Sequence, residues 1–453
     1  MSLLQADPTW AWSSFEATAE TPWNLRAAAH LYRRAGFGAS RTELRSAVDA
    51  GVEKTVDDLL SQAINEPADF LHEADTLAAA SIAGGDAKNL SGWWAWRMLN
   101  TPSQLLEKAT LFWHGHFATS AAKVENVELM YTQNQLLRQF ALGDFPKLLL
   151  EISRDPAMLI YLDSVYNRKA HPNENFAREI MELFCLGEGN YSETDIRELA
   201  RCFTGWEIRR TKFRFNRYQH DGGEKTVLGE SGRFGGEEGV RIVAAQEAAP
   251  RFIAGKLIRF LVADEPVPSA DLVKPLAELL RQHDMQTGPV IRKILTSNLF
   301  FSSQSVGRKI RSPVELAIGF LRCLNGSTNA YKVAESLNEL GQGLFYPPSV
   351  KGWDGGRTWI NSATLLGRSN LIRRLLDDER TRYGRQTLTE YVGSQGIRSV
   401  GELIDFFDET LFAVPIPMAA RQRIERLVQN VKDQSQLVTA VHAACTLPEF
   451  QLC

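Results

Sequence analysis

The sequence has few cysteines and no paired cysteine motif. Five cysteines occur among 453 residues, at positions 185, 202, 323, 445 and 453, and no two of them form a CxxC pair. Because an odd number cannot all pair within one chain, neither a disulfide framework nor a zinc ribbon is expected. Cys185 and Cys202 fall on apolar helix faces, where cysteine acts as a small buried hydrophobic residue rather than as a nucleophile.

The sequence also lacks a large charge of either sign and any long hydrophobic run. Lys and Arg number 51 against 54 for Asp and Glu, so the formal net charge is -3. This balance argues against nucleic acid as the main partner. No apolar run approaches transmembrane length, so membrane insertion is not expected. The N-terminus shows no basic segment followed by an apolar one, which predicts a cytoplasmic protein, or one exported while bound to a signal-bearing partner.

Recognised catalytic motifs are missing as well. The sequence contains no HExxH, GxxxxGK[ST] or GxSxG motif, and no GxGxxG after a strand. These patterns would indicate a zinc protease, a P-loop, a serine hydrolase and a dinucleotide site, respectively. Neither the substrate nor a cofactor can therefore be named from a motif.

Most of the chain shows apolar residues at helical spacing, and only Lys212 to Asn216 alternates as a strand does. We predict a mainly α fold, with a single large multi-helical body, one short β-hairpin and a small C-terminal helical subdomain. The predicted units are an extended N-terminal arm over 1–23, a main helical domain over 24–380 and a helical subdomain over 384–453. The hairpin is expected within 207–240, and Ser40 and Ser192 are predicted helix caps.

A polar stripe on an apolar helix is the first candidate site. Asn175, Arg178, Glu179 and Glu182 share one narrow arc, whereas the rest of the helix is apolar. Buried carboxylates need compensation, so the stripe must face a cleft, a metal, a partner helix or an ion-pair network. A structural network between Arg178 and glutamates and a catalytic site both remain open.

Two histidine-containing segments are the candidates for metal ligands. His114 and His116 lie nearly opposite each other on a helix, so they can share a metal only if Gly115 breaks that helix. His220 and Asp221 sit near the tip of the predicted hairpin, either as ligands or as a turn-forming Asx motif. A core position is the alternative for each histidine.

Two irregular segments offer further alternatives. The loop containing Asp163 and Asn167 supplies oxygen ligands that suit a hard cation, or it is a solvated connection. The stretch 341–366 is long and irregular, and it contains Trp353 and Trp359. It is either the rim of a binding site or the packing of a crossing loop.

Several motifs in one order resemble the bacterial family known as domain of unknown function 1800. The motifs are LYRRAGFG, LFWHGHF, ISRDPAMLIYLD, PNENFAREIMELFCLGEGNY, FTGW, HDGGEKTVLG, SPVE, GQGLFYPPSVKGW and PEFQ. The resemblance implies a mostly helical unit and no agreed activity. It also implies export by a twin-arginine signal and a genetic neighbour of sulfatase-like or phosphatase-like type. This sequence departs from the family in showing no such signal.

These observations leave three hypotheses. The first is a metal-dependent, hydrolase-like enzyme in which His114, His116, His220 and Asp221 bind a divalent metal. In it, the catalytic residues are Glu179, Glu182, Arg178 and Asn175. The second is a non-catalytic partner or chaperone-like subunit of the sulfatase-like or phosphatase-like protein. The third is a haem-binding oxidoreductase, although the sequence has no CxxCH motif to support it.

Overall fold

Many helices begin at a capping residue placed just before an apolar run. The computed structural model describes residues 3–429, 431 and 434–453. Ser40 and Ser192 accept hydrogen bonds from the backbone N–H groups of Glu43 and Asp195, whose side chains accept in return from the backbone of the caps. These reciprocal bonds satisfy N–H groups that the first turn of a helix leaves free. The two predicted caps are therefore confirmed.

The first half of the chain forms a succession of helices. They are α1 Pro8–Trp12, α2 Leu25–Ala35, α3 Arg41–Ala50, α4 Val52–Ile64, α5 Ala68–Ala83, α6 Ala87–Asn100, α7 Gln104–His116, α8 Ala121–Val124, α9 Val127–Gln139, α10 Phe145–Arg154, α11 Pro156–Tyr161, α12 Asn175–Glu179 and α13 Glu193–Cys202. A short 3-10 helix spans Ser164–Tyr166, and a π-helix spans Ile180–Cys185.

The second half is also helical. It contains α14 Gly236–Ala244, α15 Ala248–Leu261, α16 Ala270–Gln282, α17 Thr287–Leu295, α18 Asn298–Phe301, α19 Pro313–Cys323, α20 Ala330–Glu339, α21 Ser362–Asp377, α22 Leu388–Ser394, α23 Val400–Thr410, α24 Met418–Val428 and α25 Gln434–Cys445. Short 3-10 helices span Gly356–Trp359 and Pro448–Gln451. Within the described residues, no helix combines the length and the apolar character needed to cross a bilayer.

Strands are short and occur in pairs. The pairs are β1 Leu3–Leu4 with β6 Val267–Pro268, β2 Trp206–Arg209 with β3 Lys212–Phe215, β4 Lys225–Val227 with β5 Glu230–Gly232, and β7 Gly326–Ser327 with β8 Arg382–Tyr383. The mainly α fold is confirmed. The predicted strand is β3, and a second hairpin, β4–β5, also lies within 207–240, where one hairpin was expected.

Two hydrophobic clusters meet at α7. One contains Phe112 with Phe145 and Ile258, and the other contains Leu111 with Trp94. Consecutive residues of α7 therefore belong to different clusters, which fixes this helix between them. Phe407 and Phe450, from the C-terminal segment, belong to the same cluster as Trp94. The division into units at 24–380 and 384–453 stays a prediction.

The predicted N-terminal arm carries α1. Trp12 on this helix is buried, and its indole N–H donates to the carbonyl of Leu272 at 2.9 Å. The side chain of Asp7 caps the helix by accepting from the N–H of Trp10. The arm is thereby tied to α16.

A buried ionic network also fixes α7. Glu107 is completely buried, and its carboxylate accepts from Arg97 at 2.5 Å, from Arg138 at 2.7 Å and from the Trp94 indole at 2.8 Å. Burial alone would raise the pKa of Glu107, but the two guanidinium groups outweigh it and lower that pKa to about 2. Arg97 also pairs with Glu66. The network joins α6, α7 and α9.

Candidate functional site

The helix with the polar stripe changes its winding along its length. It begins as α12 and continues as the π-helix, in which the N–H of Leu186 bonds to the carbonyl of Met181 at 2.9 Å. Near its end, the carbonyl of Phe184 lies 2.9 Å from Nε2 of His116, and the carbonyl of Leu183 accepts from Nζ of Lys256 at 3.3 Å. π-Helical turns are rare in proteins, and those that occur are often found at functional sites. This one links the stripe segment to α7 and α15.

The bond to Phe184 fixes the tautomer of His116. A carbonyl oxygen can only accept, so Nε2 carries the proton and Nδ1 is an acceptor. His116 is 4% exposed, and Nδ1 has no hydrogen-bond partner among the described residues. Burial, and to a lesser extent the charge of Lys256, holds the pKa of His116 well below its usual range. His116 is therefore a neutral ring with one unused acceptor.

His116 lines a cleft of about 290 Å³. Its walls are α7, α15, the segment leading into α19, and the irregular stretch 341–366. The aromatic and cationic side chains around it are Phe112, Phe260, Trp353, Trp359, Lys256, Arg259, Lys309 and Lys351. Ligand sites combine apolar walls with a few polar groups in this way. The irregular stretch therefore contributes a wall of the cleft, and its role as the rim of a binding site stays a prediction.

The cations of the cleft are not all neutralised. Lys309 pairs with Asp264 at 2.5 Å, and Glu315 pairs with Lys108 behind the wall at 2.5 Å. In the described part of the chain, Lys256, Arg259 and Lys351 have no carboxylate within ion-pair distance.

Asp354 is the remaining carboxylate of the lining, and it is exposed. Burial, assisted by the charge of Arg259, lowers the pKa of Lys256 to about 8. Lys256 therefore stays mostly protonated at neutral pH. The cleft keeps a positive excess.

Trp353 is positioned by a close backbone approach. Gly352 has φ of 77°, and a Cβ atom there would lie 2.1 Å from the carbonyl oxygen of Gly115. The Trp353 ring lies 5.6 Å from the ring of His114, and its indole N–H is buried without a partner among the described residues. α7 runs unbroken through Gly115. The helix break that a shared metal site would need is thus absent, and the absence of a side chain at Gly352 is what lets the loop approach Gly115.

The other residues of the stripe lie in separate contacts. Arg178 makes a two-pronged ion pair with Glu193, both bonds measuring 2.8 Å. The carboxylate of Glu182 accepts from the Tyr191 hydroxyl at 2.9 Å. The Asn175 amide donates to the carbonyl of Leu162 at 3.2 Å.

Glu179 is the stripe residue with an electrostatic link to the cleft. Burial raises the pKa of this carboxyl, and the charge of Glu182 raises it further. Arg178 and the cleft residue Lys351 act in the opposite direction. The charge of Glu179 therefore interacts with a residue of the cleft. The catalytic roles of the stripe stay a prediction.

The structure does not assemble the predicted metal ligands. Nε2 of His114 accepts from the backbone N–H of Phe345 at 3.2 Å, and burial lowers the pKa of His114 to about 3. His220 lies 2.9 Å from the carbonyl of Thr204 through Nδ1. Asp221 pairs with Arg201 at 2.7 Å and accepts from the N–H of Gly223, which is the Asx turn.

Over 3–429, 431 and 434–453, no three His, Cys, Asp or Glu side chains are grouped to hold a metal ion. The metal-ligand roles of His114, His116, His220 and Asp221 therefore stay predictions without a formed ligand set.

The loop considered for a hard cation makes structural contacts. Asp163 pairs with Lys123 at 2.8 Å. The amide of Asn167 donates to the carbonyl of Ala200, and its side-chain oxygen accepts from the N–H of Asn173. These bonds tie the loop to α13.

Sequence reasoning missed the cations of the cleft. Lys256 and Arg259 lie three apart on α15, a helix that was not among the candidate sites. The available signal was Lys256, which is partly buried, because a charge removed from water needs a compensating contact, whereas Arg259 is exposed. Lys351 comes from a loop far along the chain, and only the fold brings it to the same cleft.

Comparison with known proteins adds a family and nothing more specific. Residues 30–452 match the family model described as "Protein of unknown function (DUF1800)". No curated protein and no solved structure matches the chain. The cleft is therefore the feature of the molecule that points to a function.

Proposed function

The chain belongs to the DUF1800 family of proteins of unknown function, as its motifs indicated, and we propose that it is an enzyme that binds an anionic small molecule in the α7–α15 cleft. The observation that carries this proposal is the set of three cations, Lys256, Arg259 and Lys351, that lack a carboxylate partner in the described chain. An anionic ligand supplies the missing charge, and the aromatic walls cover its apolar part.

The polar groups of the cleft suggest how a ligand is oriented. His116 offers an acceptor at Nδ1, and Trp353 offers a donor at its indole nitrogen. Both atoms are buried without a hydrogen-bond partner in the described chain. This is energetically costly unless a ligand or water forms a hydrogen bond with each of them.

Lys256 is the candidate for proton transfer. Its pKa of about 8 lies close to neutral pH, where a side chain can both donate and accept a proton efficiently. The single hydrogen bond of its Nζ, to the carbonyl of Leu183, leaves further donor capacity. We assign Lys256 the role of general acid or base and the other two cations the role of binding the anion.

Narrower versions of this function remain proposals. A metal-dependent hydrolase would use Glu179 or Glu182 as the base, and it would need ligands that the cleft does not group. A partner of sulfatase-like or phosphatase-like type and a haem-binding role have no specific contact in their favour. The anion-binding cleft is the version that the contacts support.

Anilinonaphthalene sulfonate, an aromatic anion that fluoresces in apolar surroundings, tests the proposal. We expect one saturable site in the wild-type protein and an affinity about tenfold weaker in Lys256→Met, because a charge-assisted bond is lost. Lys274→Met is the matched control, since Lys274 lies on α16 with its side chain 72% exposed. Equal affinity in the wild type and Lys256→Met, measured by fluorescence titration, would rule out the cleft as the site.

The affinity should also depend on pH. Lys256 loses its charge as the pH rises through about 8, so binding of the sulfonate should weaken between about pH 7 and pH 9. The sulfonate stays ionised over this range. Lys256→Met should lose most of this dependence, and a wild-type affinity that does not change with pH would contradict the role of Lys256.

A further inference from the structure

A second candidate binding surface lies around the β2–β3 hairpin, away from the residues that line the cleft. We call it the hairpin face, and its members are Tyr166, Lys169, Arg209, Lys212, Arg214 and Tyr218. The β2–β3 register pairs Glu207 with Arg214 and Arg209 with Lys212. Since side chains alternate along a strand, these four project from the same side of the hairpin.

Glu207 connects the surrounding segments to that side. It pairs with Arg214 at 3.0 Å and with Arg168, in the turn after Tyr166, at 3.5 Å. It also accepts from the amide of Asn216 at 3.1 Å. The side-chain oxygen of Asn216 accepts in turn from the backbone N–H of Tyr218 at 3.2 Å. Both tyrosine-bearing turns are thereby joined to the hairpin.

The charge of the hairpin face is largely uncompensated. Glu207 is shared between Arg168 and Arg214. Arg209, Lys212 and Lys169 are exposed, and among the described residues none has a carboxylate within ion-pair distance. The hairpin face is therefore a basic surface on a chain whose formal net charge is -3. A surface of this kind attracts polyanions whatever the net charge.

Exposed aromatic rings accompany these charges. Tyr166 is 72% and Tyr218 is 69% exposed. The Arg217 guanidinium lies 4.9 Å from the centre of the Tyr218 ring and donates to the Tyr218 hydroxyl at 2.8 Å. Proteins bind single-stranded nucleic acid with arginines that contact the phosphates and with exposed rings on which bases stack. A double helix keeps its bases stacked inside and cannot use the rings.

We propose that the hairpin face binds single-stranded nucleic acid, with the cations on the phosphates and the two tyrosines stacked on bases. This inference is independent of the function proposed for the cleft. It differs from the expectation, drawn from net charge, that nucleic acid is not the main partner.

The test is fluorescence anisotropy with a labelled single strand of about 16 nucleotides, using the full-length chain. We expect saturable binding below about 100 µM at about 50 mM salt. Tyr166→Ala combined with Tyr218→Ala should weaken it at least about tenfold. Tyr331→Ala, which removes a ring 37% exposed on α20, should leave it unchanged.

A charge variant provides the second measurement. The slope of log affinity against log salt is negative. Arg209→Ser combined with Lys212→Ser should make it shallower by about 1.4, because about 0.7 counterions are released per phosphate contact. Arg373→Ser, an exposed residue on α21, is its control. Circular dichroism confirms that each variant is folded.

Three outcomes would overturn the proposal. They are no saturable binding, unchanged affinity in the double tyrosine variant, and equally tight binding of duplex DNA or an acidic polysaccharide that ignores the tyrosines. The last outcome would identify a general polyanion surface.

Discussion

Replacement of Glu107 by alanine is expected to lower the free energy of unfolding by about 3–5 kcal/mol, as observed when one member of a buried ionic network is removed. Glu107 is completely buried and holds Arg97 and Arg138. Without it, Arg138 loses its carboxylate, and Arg97 keeps only Glu66. Urea denaturation followed by circular dichroism measures the change.

Glu193→Ala is the control for this prediction. Glu193 also accepts two bonds from one arginine, Arg178, but it lies on the surface. Exposed ion pairs contribute little because water solvates both charges after the pair is broken. If the urea concentration at the midpoint of unfolding shifts equally in the two variants, burial of Glu107 is not what makes its network stabilising.

Replacement of Gly352 by alanine should displace the loop that carries Trp353. The new Cβ would lie 2.1 Å from the carbonyl oxygen of Gly115, and φ of 77° adds strain of about 1–2 kcal/mol for any residue other than glycine. Because the backbone atoms of α7 are held within the helix, we expect the loop to be displaced instead. We expect a lower melting temperature and loss of most of the affinity for anilinonaphthalene sulfonate.

Gly341→Ala separates the clash from the strain. Gly341 lies in the same irregular stretch with φ of 89°, and a Cβ atom there meets nothing within 4 Å. This variant should therefore show only the strain and should keep its affinity for the dye. If both variants lose the same affinity, the close approach of Gly352 to α7 does not position Trp353.

The helical fold was predictable because its signals are local. Ser40 and Ser192 cap helices with the glutamate or aspartate three residues later, and such a pattern spans one turn of chain. The second hairpin, β4–β5, was missed because its strands are short and because Gly229 in its turn and Gly232 in β5 are residues typical of turns. The π-helix gives no signal in its composition, since the apolar residues and Glu182 between Ile180 and Cys185 would suit an α-helix equally well.

The candidate site was only partly predictable. His116 was singled out, but its contact with Phe184 depends on how α7 packs against the π-helix. Arg178 and Glu182 were also singled out, and both have local partners, Glu193 and Tyr191. Their ion pair and hydrogen bond match the structural alternative without testing the catalytic one. Lys256 and Lys351 are distant in the sequence, and no motif links them.

A crystal structure of the protein with bound anilinonaphthalene sulfonate is the most direct test of the proposed cleft. We predict that the sulfonate lies within hydrogen-bond distance of Lys256 and that the ring system lies against Trp353 or Phe260. Difference density at that position would place the anion among the unpaired cations. Dye bound only outside the α7–α15 cleft, with the cleft empty at saturating concentration, would contradict the account.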